Sequence, residues 1–388
     1  MIVKGLTMRS YSIPSFTAAM ALLCSCAGDS ADGASATTVA IAAVDLEIGM
    51  LDGPEEYTFG RISGLALDES DRIFVADAMA DEIRVFDAAG EFQFTIGRSG
   101  SGPGELSGAC CITIDDTGRL WVRDGGNRRY NAYAVDDTAA TYLENRRMAH
   151  NAGGLWAPTT LVESGLLIDV GSEIGEDAGA QIVRLFLDSA GTVTKKEIIP
   201  QPPLDSLGQA NVERSEEGGT AVYYFYQPYG ARHLRAHSRL GGWARAVSSN
   251  YAVRWHGPEE SFNYLLTRDV TGPLVSESER AAGEEQLEGQ RKRGNLSRRD
   301  LPFDVPERKA PLRWLQFDEM GRLWVFLTAA QGDEPRADVY DRNGELLFTV
   351  TWPAEVDLQM GHLGDGVALG TTRDSLDVQR VVRLRLNP

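Results

Sequence analysis

The sequence predicts an all-β fold, a six-bladed β-propeller whose blades are four-stranded antiparallel sheets. Three observations lead to this prediction. Hairpin patterns recur along the chain, and two neighbouring copies lie 47 residues apart, at Asp68 and Asp115. The C-terminal unit is one strand short, and an unpaired strand pattern stands near the N-terminus. Repeats of this length are typical of folds in which each unit packs against its neighbours.

The first repeated pattern is a β-hairpin that turns at an aspartate. Apolar and polar residues alternate, the chain turns at Asp-x-x-Gly-Arg, and the alternation resumes. Aspartate and glycine are typical of such turns between antiparallel strands. The copies begin at Leu65, Ile112 and Leu315. The first copy has Asp71 where the others have glycine, and Trp121 and Trp324 occupy matching positions, where we expect them to pack in the core.

A second hairpin pattern follows the first within a unit, so that each unit supplies four antiparallel strands. Its copies begin at Ile83, Val183 and Ala337. The sequence places six blades at 58–98, 105–148, 152–200, 219–271, 301–352 and 354–388. Because the last blade has only three strands and a bare sheet edge is unfavourable, we expect the N-terminal strand at 39–48 to close the ring. The predicted propeller therefore spans 38–388.

An insertion at 272–300 separates blades 4 and 5. It begins with the capping-box pattern Ser276-x-x-Glu279 and carries basic residues near its end, at 291–293. Both features favour a short helix and suit its dipole. The helix is either a solvated element lying across the propeller or a lid that binds a partner.

The N-terminal segment predicts export and lipidation. An apolar stretch at 13–23 follows Lys4 and Arg9 and is too short to span a bilayer. It ends in Leu23-Cys-Ser-Cys26-Ala-Gly, which resembles a bacterial lipobox with Cys26 as the acylated residue. The sequence therefore predicts a lipoprotein signal peptide at 1–25 and a flexible tether at 26–37. The alternative is an ordinary secretory signal that leaves Cys26 as a free thiol.

Composition excludes several classes of function. The chain has 388 residues, 38 basic and 56 acidic, and a net charge of −18, which disfavours nucleic-acid binding. Four cysteines are too few for a disulfide scaffold, and five histidines lack the spacing of a dedicated metal site. We therefore expect no cofactor, no bound metal and no catalytic residue that the sequence can identify.

The loops of blades 1 and 2 resemble NHL-type repeats. The resemblance rests on Asp77 before Ile83-Arg-Val-Phe and on Asp124-Gly-Gly-Asn-Arg-Arg-Tyr130. The glycine-rich connection Gly97–Glu105 is similar to the linker frequent in bacterial six-bladed β-propeller lipoproteins. The resemblance implies a propeller with an aspartate and an asparagine folding the loop before the third strand of a blade.

In a four-stranded meander, the loops between second and third strands share one face with the connections between blades. Long polar loops that converge on a rigid scaffold commonly form binding sites. The candidate binding residues on this face are Asp77, Asp81, Arg98, Asp124, Asn127, Arg128 and Arg129. The alternative is that these residues only shape the loops.

Two other groups have structural and chemical interpretations. His233 and His237 would share one side of an unbroken strand, so a metal pair is conceivable, although core histidines are the simpler interpretation. Cys110 and Cys111 are adjacent on a predicted strand, which places their side chains on opposite faces. We expect two buried thiols there, because a vicinal disulfide would break the strand.

The sequence favours a binding or scaffold protein over an enzyme. The expected location is the periplasmic or outer-membrane side of a bacterial envelope, with the lipid on Cys26 as the membrane contact. The expected partner is an envelope protein, a peptide or a glycan, and not a nucleic acid. The alternative is a metal-dependent hydrolase or lyase of the lactonase or amidating-lyase propeller type.

Replacement of Cys26 tests the predicted anchor. Cys26→Ser should move the protein from the membrane fraction to the soluble fraction, because the acyl chains supply the membrane affinity of an acidic protein. Cys24→Ser, two residues earlier, should leave the protein in the membrane fraction. Membrane retention of the Cys26 variant, measured by fractionation and immunoblotting, would show that the lipobox interpretation is wrong.

Overall fold

The architecture is a β-propeller of four-stranded antiparallel blades. It is seen in a computed structural model that describes residues 38–149, 161–163, 165–174, 180–203, 206–216, 219–257 and 263–387. The expected signal peptide, tether and lipidated Cys26 lie outside these residues. Within the described residues, no helix has the length and hydropathy needed to cross a membrane.

Blades 1 and 2 each run in chain order from an inner to an outer strand. The chain begins with β1 (Val39–Ile48), which belongs to blade 6, and a 3-10 turn at Glu55–Tyr57. Blade 1 comprises β2 (Ile62–Leu67), β3 (Ile73–Asp77), β4 (Glu82–Phe86) and β5 (Phe92–Ile96). Blade 2 comprises β6 (Ala109–Ile114), β7 (Arg119–Asp124), β8 (Arg129–Val135) and β9 (Ala140–Arg147).

Blades 3 and 4 are separated by an additional hairpin. Blade 3 comprises β10 (Leu161–Glu163), β11 (Leu166–Ile174), β12 (Ala180–Leu187) and β13 (Val193–Ile199). The hairpin comprises β14 (Gln209–Glu216) and β15 (Gly219–Tyr226). Blade 4 comprises β16 (His233–His237), β17 (Trp243–Val247), β18 (Ala252–His256) and β19 (Asn263–Thr267). The predicted start of blade 4 at 219 is therefore wrong, because among the described strands β15 pairs with β14 and with no strand of blade 4.

Blades 5 and 6 complete the ring, and the predicted helix precedes them. Helix α1 (Glu277–Gly294) has Ser276 as its N-cap in a capping box with Glu279, as the sequence predicts. Blade 5 comprises β20 (Leu312–Phe317), β21 (Leu323–Leu327), β22 (Arg336–Tyr340) and β23 (Leu346–Thr351). Blade 6 comprises β24 (Asp357–Leu363), β25 (Val367–Arg373), β26 (Gln379–Asn387) and β1.

Strand β1 closes the ring, which confirms the prediction. It pairs in antiparallel fashion with β26, from Ile41 opposite Asn387 to Ile48 opposite Val381. Its first residues also pair in parallel with β23 of blade 5. Asp45 bonds to Arg383 at 2.9 Å and to Arg385 at 3.0 Å, which fixes the register of the two strands. The N-terminal strand thus joins the last two blades.

Each boundary between neighbouring blades is filled by its own apolar cluster. Representative pairs, taken from the boundary of blades 1 and 2 round to that of blades 6 and 1, are Phe74 with Ile112, Trp121 with Leu167, Phe186 with Trp243, Trp255 with Leu315, Trp324 with Leu358, and Leu369 with Phe59. A seventh cluster joins α1 to the β14–β15 hairpin. The core is therefore divided radially among the boundaries.

The recurrent aspartate turn is tied to the core by tryptophan. Asp115 accepts a hydrogen bond from the indole N–H of Trp121 at 2.9 Å, and Asp318 accepts one from Trp324 at 3.0 Å. Both indoles are fully buried, as the core interpretation predicts. A buried indole N–H needs an acceptor, so each turn aspartate both closes its hairpin and satisfies the inter-blade aromatic residue.

Cys110 and Cys111 form a vicinal disulfide, so the prediction of two thiols is wrong. The pairing of β6 with β7 shifts between Cys110 and Thr113, and Cys111 has a φ of 57°. Register shifts occur at the matching places of β2 and β20. The inner strand is therefore already bulged at this position, and the disulfide lies where the regular ladder is interrupted.

Two truncations test ring closure. Removal of 27–49 deletes β1 and should lower the melting temperature by well over the few degrees that correspond to about 1 kcal/mol. Removal of 27–37 retains β1 and should leave the melting temperature unchanged. The larger deletion should also promote association through the exposed edge of β26, which size-exclusion chromatography detects. Equal melting temperatures for the two truncations would contradict closure by β1.

Candidate functional site

The seven predicted binding residues lie on the face that holds the loops between second and third strands and the connections between blades. We call this the loop face; it includes 78–81, 97–108 and 125–128. The opposite face carries the turns between first and second strands, including 68–72, 115–119 and 318–322, and we call it the turn face.

Asp77 and Asp81 bond to neighbouring loop segments. The buried Asp77 carboxylate accepts backbone N–H bonds from Gly60 at 2.8 Å and Arg61 at 2.9 Å. Asp81 accepts one from Gly108 at 2.6 Å and a hydroxyl bond from Ser99. These carboxylates therefore hold the entry to blade 1 and the connection to blade 2 in place.

Asp124, Asn127 and Arg129 are brought together in one network. Asp124 is fully buried and accepts bonds from Asn127 at 2.9 Å and Arg129 at 2.8 Å. Arg129 also donates to the carbonyls of Gly102 and Glu105. The network fixes the glycine-rich connection against blade 2. Asp124 and Asn127 therefore bond to each other within the loop that precedes the third strand of blade 2.

Arg98 and Arg128 lie on the same connections as that network. Arg98 is 80% exposed in its side chain and pairs with Glu105 at 2.8 Å. The backbone of Arg128 has a φ of 55°, a left-handed conformation that residues other than glycine and asparagine seldom adopt. A role of the seven residues in binding a partner remains a prediction.

A small cavity lies at the turn-face end of the central channel. Inner strands of five blades line it, with Leu65 from β2, Ile112 from β6, His237 from β16, Gln316 from β20 and His362 from β24. Its volume is about 50 Å³. Since a water molecule occupies about 30 Å³ of liquid, the cavity has room for ordered water and not for a sugar or a lactone.

Charged side chains from three blades meet across this cavity. Arg239, which follows β16 of blade 4, donates to the carbonyl of Ile114 on blade 2 at 3.2 Å. Its guanidinium lies 3.7 Å from the Glu319 carboxylate, which lies 3.6 Å from Nε2 of His362. His362 is buried, and among the described residues its Nε2 has no hydrogen-bond partner. Arg239, Glu319 and His362 thus form a polar belt across the channel mouth.

Burial shifts the ionisation of this belt. Burial raises the pKa of Glu319, Arg239 opposes the shift, and Asp318 adds to it. Burial and the charge of Arg239 lower the pKa of His362 to about 3. Desolvation, with the charges of Arg184 and Arg235, lowers the pKa of His237 well below its ordinary value. Both imidazoles are therefore neutral at neutral pH, and each offers one donor and one acceptor nitrogen.

The two histidines singled out in the sequence have different environments. His237 lines the cavity, whereas His233 bonds through Nδ1 to the Gln201 side chain at 2.9 Å. Among the residues that the structure describes, no three His, Cys, Asp or Glu side chains are arranged to hold a metal ion. The arrangement at the channel mouth can order water between the Glu319 carboxylate and the neutral His362 imidazole.

Sequence reasoning missed the belt. Glu319 follows the turn aspartate in Asp318-Glu-Met-Gly-Arg322 and resembles an ordinary exposed turn residue. His362 lies in the last blade, where the inner strand lacks the aspartate turn of the other repeats. The only local signal was that both are ionisable residues near the end of an inner strand, where five blades converge.

Comparisons with known proteins bear on the fold. Residues 42–146 match the DUF5128 family, described as a 6-bladed beta-propeller. This segment covers most of β1 and blades 1 and 2. No curated protein matches the sequence.

Three similar solved structures are all distant in sequence. A Bacteroides fragilis protein named as exported is 11% identical, with 90% of this chain and 99% of that chain covered and a TM-score of 0.44. A DUF4221 member from Bacteroides vulgatus is 9% identical over 89% and 97%, with a TM-score of 0.41. A Xanthomonas campestris gluconolactonase is 12% identical over 89% and 99%, with a TM-score of 0.35.

The depressed pKa of His362 predicts acid sensitivity. In the unfolded chain the His362 imidazole takes up a proton near its ordinary pKa of 6.5, whereas in the folded protein this imidazole stays neutral until about pH 3. His362 therefore contributes stability above pH 6.5 that is lost as the pH falls towards 3, at up to about 1.4 kcal/mol per pH unit. In His362→Gln the free energy of unfolding should fall less steeply as the pH is lowered, and urea unfolding at several pH values would measure this difference.

His256→Gln is the matched control for that experiment. Burial lowers the pKa of His256, but a hydrogen bond with Asn263 opposes the shift. Replacing His256 should therefore change the acid-induced loss of stability less than replacing His362 does. If the free energy of unfolding depended on pH identically in wild type and His362→Gln, the neutral buried state of the His362 imidazole would be contradicted.

Proposed function

We propose that this chain is a membrane-anchored, extracytoplasmic propeller that binds an extended peptide segment of an envelope protein. The supporting observation is the β14–β15 hairpin, which forms a two-stranded sheet of its own between blades 3 and 4. Both of its long edges lack a strand partner among the described residues. An open edge of this kind recruits a further strand by main-chain hydrogen bonding.

Helix α1 shows how the hairpin edge accepts a partner. The Gln290 side chain donates to the Tyr226 carbonyl at 3.0 Å and accepts from its N–H at 3.2 Å. The amide thus satisfies one residue of the β15 edge as a neighbouring strand would. Alternation along the antiparallel ladder directs the backbone groups of Thr220, Val222 and Tyr224 to the same edge. Among the described residues these groups have no partner outside the hairpin, so an incoming peptide would pair with them.

Tyrosine side chains flank the open edge. Tyr224 is 49% exposed and Tyr226 is 39% exposed, and both lie on the same side of β15. The Tyr226 ring also stacks on the guanidinium of Arg232 at 4.9 Å. Exposed tyrosines with a fixed orientation are favoured in binding surfaces because they offer large contact areas at low entropic cost. They would contact alternate side chains of the peptide.

The hairpin is held firmly on the loop face. Phe225 and Tyr229 pack into a cluster with Leu287 of α1 and with Leu301 and Val305 after it. The helix approaches closely at Gly283, where a Cβ atom would lie 2.8 Å from the Val305 side chain. A pre-ordered edge loses little entropy when a peptide binds, which favours affinity.

The channel mouth gives less support to the enzymatic alternative. A lactonase or lyase of the propeller type would need room for an organic substrate beside its reacting groups. The 50 Å³ cavity is lined by the Arg239, Glu319 and His362 belt and is far below the size of ligand pockets. A binding role on the loop face therefore accords better with the geometry.

Substitutions on the hairpin test the proposed binding edge. Tyr224→Pro removes one edge N–H and obstructs strand addition, and the pair Tyr224→Ala with Tyr226→Ala removes the flanking rings. In full-length protein crosslinked in cells, either variant should reduce recovery of the wild type's specific partner by about tenfold, the effect of about 1.4 kcal/mol. Quantitative mass spectrometry of the crosslinked species measures the recovery.

Leu347→Ala is the matched control, because it truncates an apolar side chain that is 42% exposed on the outer strand of blade 5. It should leave recovery unchanged, and melting curves of all variants should coincide within a few degrees. Equal recovery with the hairpin variants would contradict the proposal. A captured glycan in place of a polypeptide would overturn the peptide assignment.

A further inference from the structure

Three arginines lie side by side across blade 4. Arg235 of β16 is directly opposite Arg245 of β17, and Arg245 is directly opposite Arg254 of β18. Neighbouring strands are about 4.8 Å apart, so the three side chains form one transverse row on a single side of the sheet. Like charges directly opposite each other destabilise a sheet, so the row has an energetic cost.

No carboxylate of the described residues neutralises this row. In the part of the chain that the structure describes, none of the three guanidinium groups has a hydrogen bond or an ion pair, and Nε of Arg245 is buried without a partner there. Burial lowers the pKa of Arg235 to about 10. Burial, with the charge of Arg254, lowers the pKa of Arg245. Most other buried arginines of the chain have acceptors, as Arg383 has Asp45 and Arg146 has Glu144.

The row faces blade 3. The opposite side of blade 4 carries Leu234, Ala244 and Trp255, which pack against blade 5. Trp243, which shares the side of the row, packs instead against Phe186 of blade 3. The boundary between blades 3 and 4 is therefore where the three guanidinium groups lie.

The facing side chains of blade 3 add further positive charge. Arg184 pairs with Glu197 at 2.9 Å, and Lys195 shares the same carboxylate. His233 and His237 flank Arg235 on its own strand, and His256 stacks on Trp243 with ring centroids 3.9 Å apart. Among the described charged side chains here, Glu197 is the single anion against five cations, in a chain whose net charge is −18.

The row is open to solvent at one end. Arg254 is exposed, and Arg245 and Arg235 are partly buried along the line that leads inward from it. A ligand entering beside Arg254 would meet the three guanidinium groups in succession. Guanidinium groups bind phosphate and sulfate oxygens through paired N–H donors, and partial burial strengthens such bonds.

We propose that the arginine row at the boundary between blades 3 and 4 is a binding site for an oxyanion ligand with at least two negative charges, such as a phosphate monoester, a diphosphate or a doubly sulfated ester. The Arg235, Arg245 and Arg254 row supplies the charge and the hydrogen-bond donors. The spacing of the row suits two linked anionic groups better than one. The row uses residues other than those of the proposed peptide-binding edge, and Tyr226 of that edge lies close enough to Arg235 to raise its pKa slightly against the effect of burial.

Inorganic anions test the site directly in the full chain. Pyrophosphate should bind more tightly than phosphate or sulfate in calorimetry, and each should raise the melting temperature relative to sodium chloride of equal ionic strength. Arg245→Gln should weaken pyrophosphate binding by about tenfold or more, because it removes the central donor. Phosphate and sulfate, compared at equal charge, distinguish the two classes of ester.

Two further readouts make the result decisive. Without anion, Arg245→Gln should melt at or above the temperature of wild type, because it removes a like-charge contact, so weaker binding cannot be attributed to unfolding. Arg313→Gln alters an arginine that is 53% exposed on blade 5 and should bind pyrophosphate as wild type does. Absence of anion-specific binding or stabilisation in wild type, or equal binding by Arg245→Gln, would overturn the proposal.

Discussion

Every blade of this propeller must bury both of its faces against neighbouring blades, because the ring has no shared central core. The apolar clusters reflect this directly, since each of them spans one boundary between blades. A break anywhere in the ring would expose two faces at once. Strand β1 prevents that break by supplying the outer strand of blade 6 and by pairing with β23 of blade 5.

The acidic character of the chain has a structural use at the loops and turns. Asp115 and Asp318 hold turn backbone and tryptophan N–H groups, and Asp77 and Asp124 hold loop backbone and side chains. A carboxylate accepts several hydrogen bonds at once, which suits tight turns whose N–H groups lack strand partners. Aspartates in these positions therefore order the scaffold on both faces.

The part of the ring around blade 4 departs from the regular repeat. The β14–β15 hairpin precedes this blade and α1 follows it, and the two insertions pack against each other. The boundary with blade 3 combines a small apolar cluster with the arginine row. His237 and Arg239, on or next to the inner strand of the blade, reach the channel mouth. Features that a bare scaffold does not need are thus concentrated in one sector.

Local pattern in the sequence determined the repeated hairpins, the capping box of α1 and the pairing of β1 with blade 6, because each depends on residues close together or on a count of strands. Tertiary structure alone decided the rest. Arg235, Arg245 and Arg254 become neighbours through strand register, and Arg239, Glu319 and His362 meet because their blades converge on the channel. The Cys110–Cys111 disulfide requires a bulge that alternation conceals. Such contacts follow from the closed ring, which no short segment of the chain encodes.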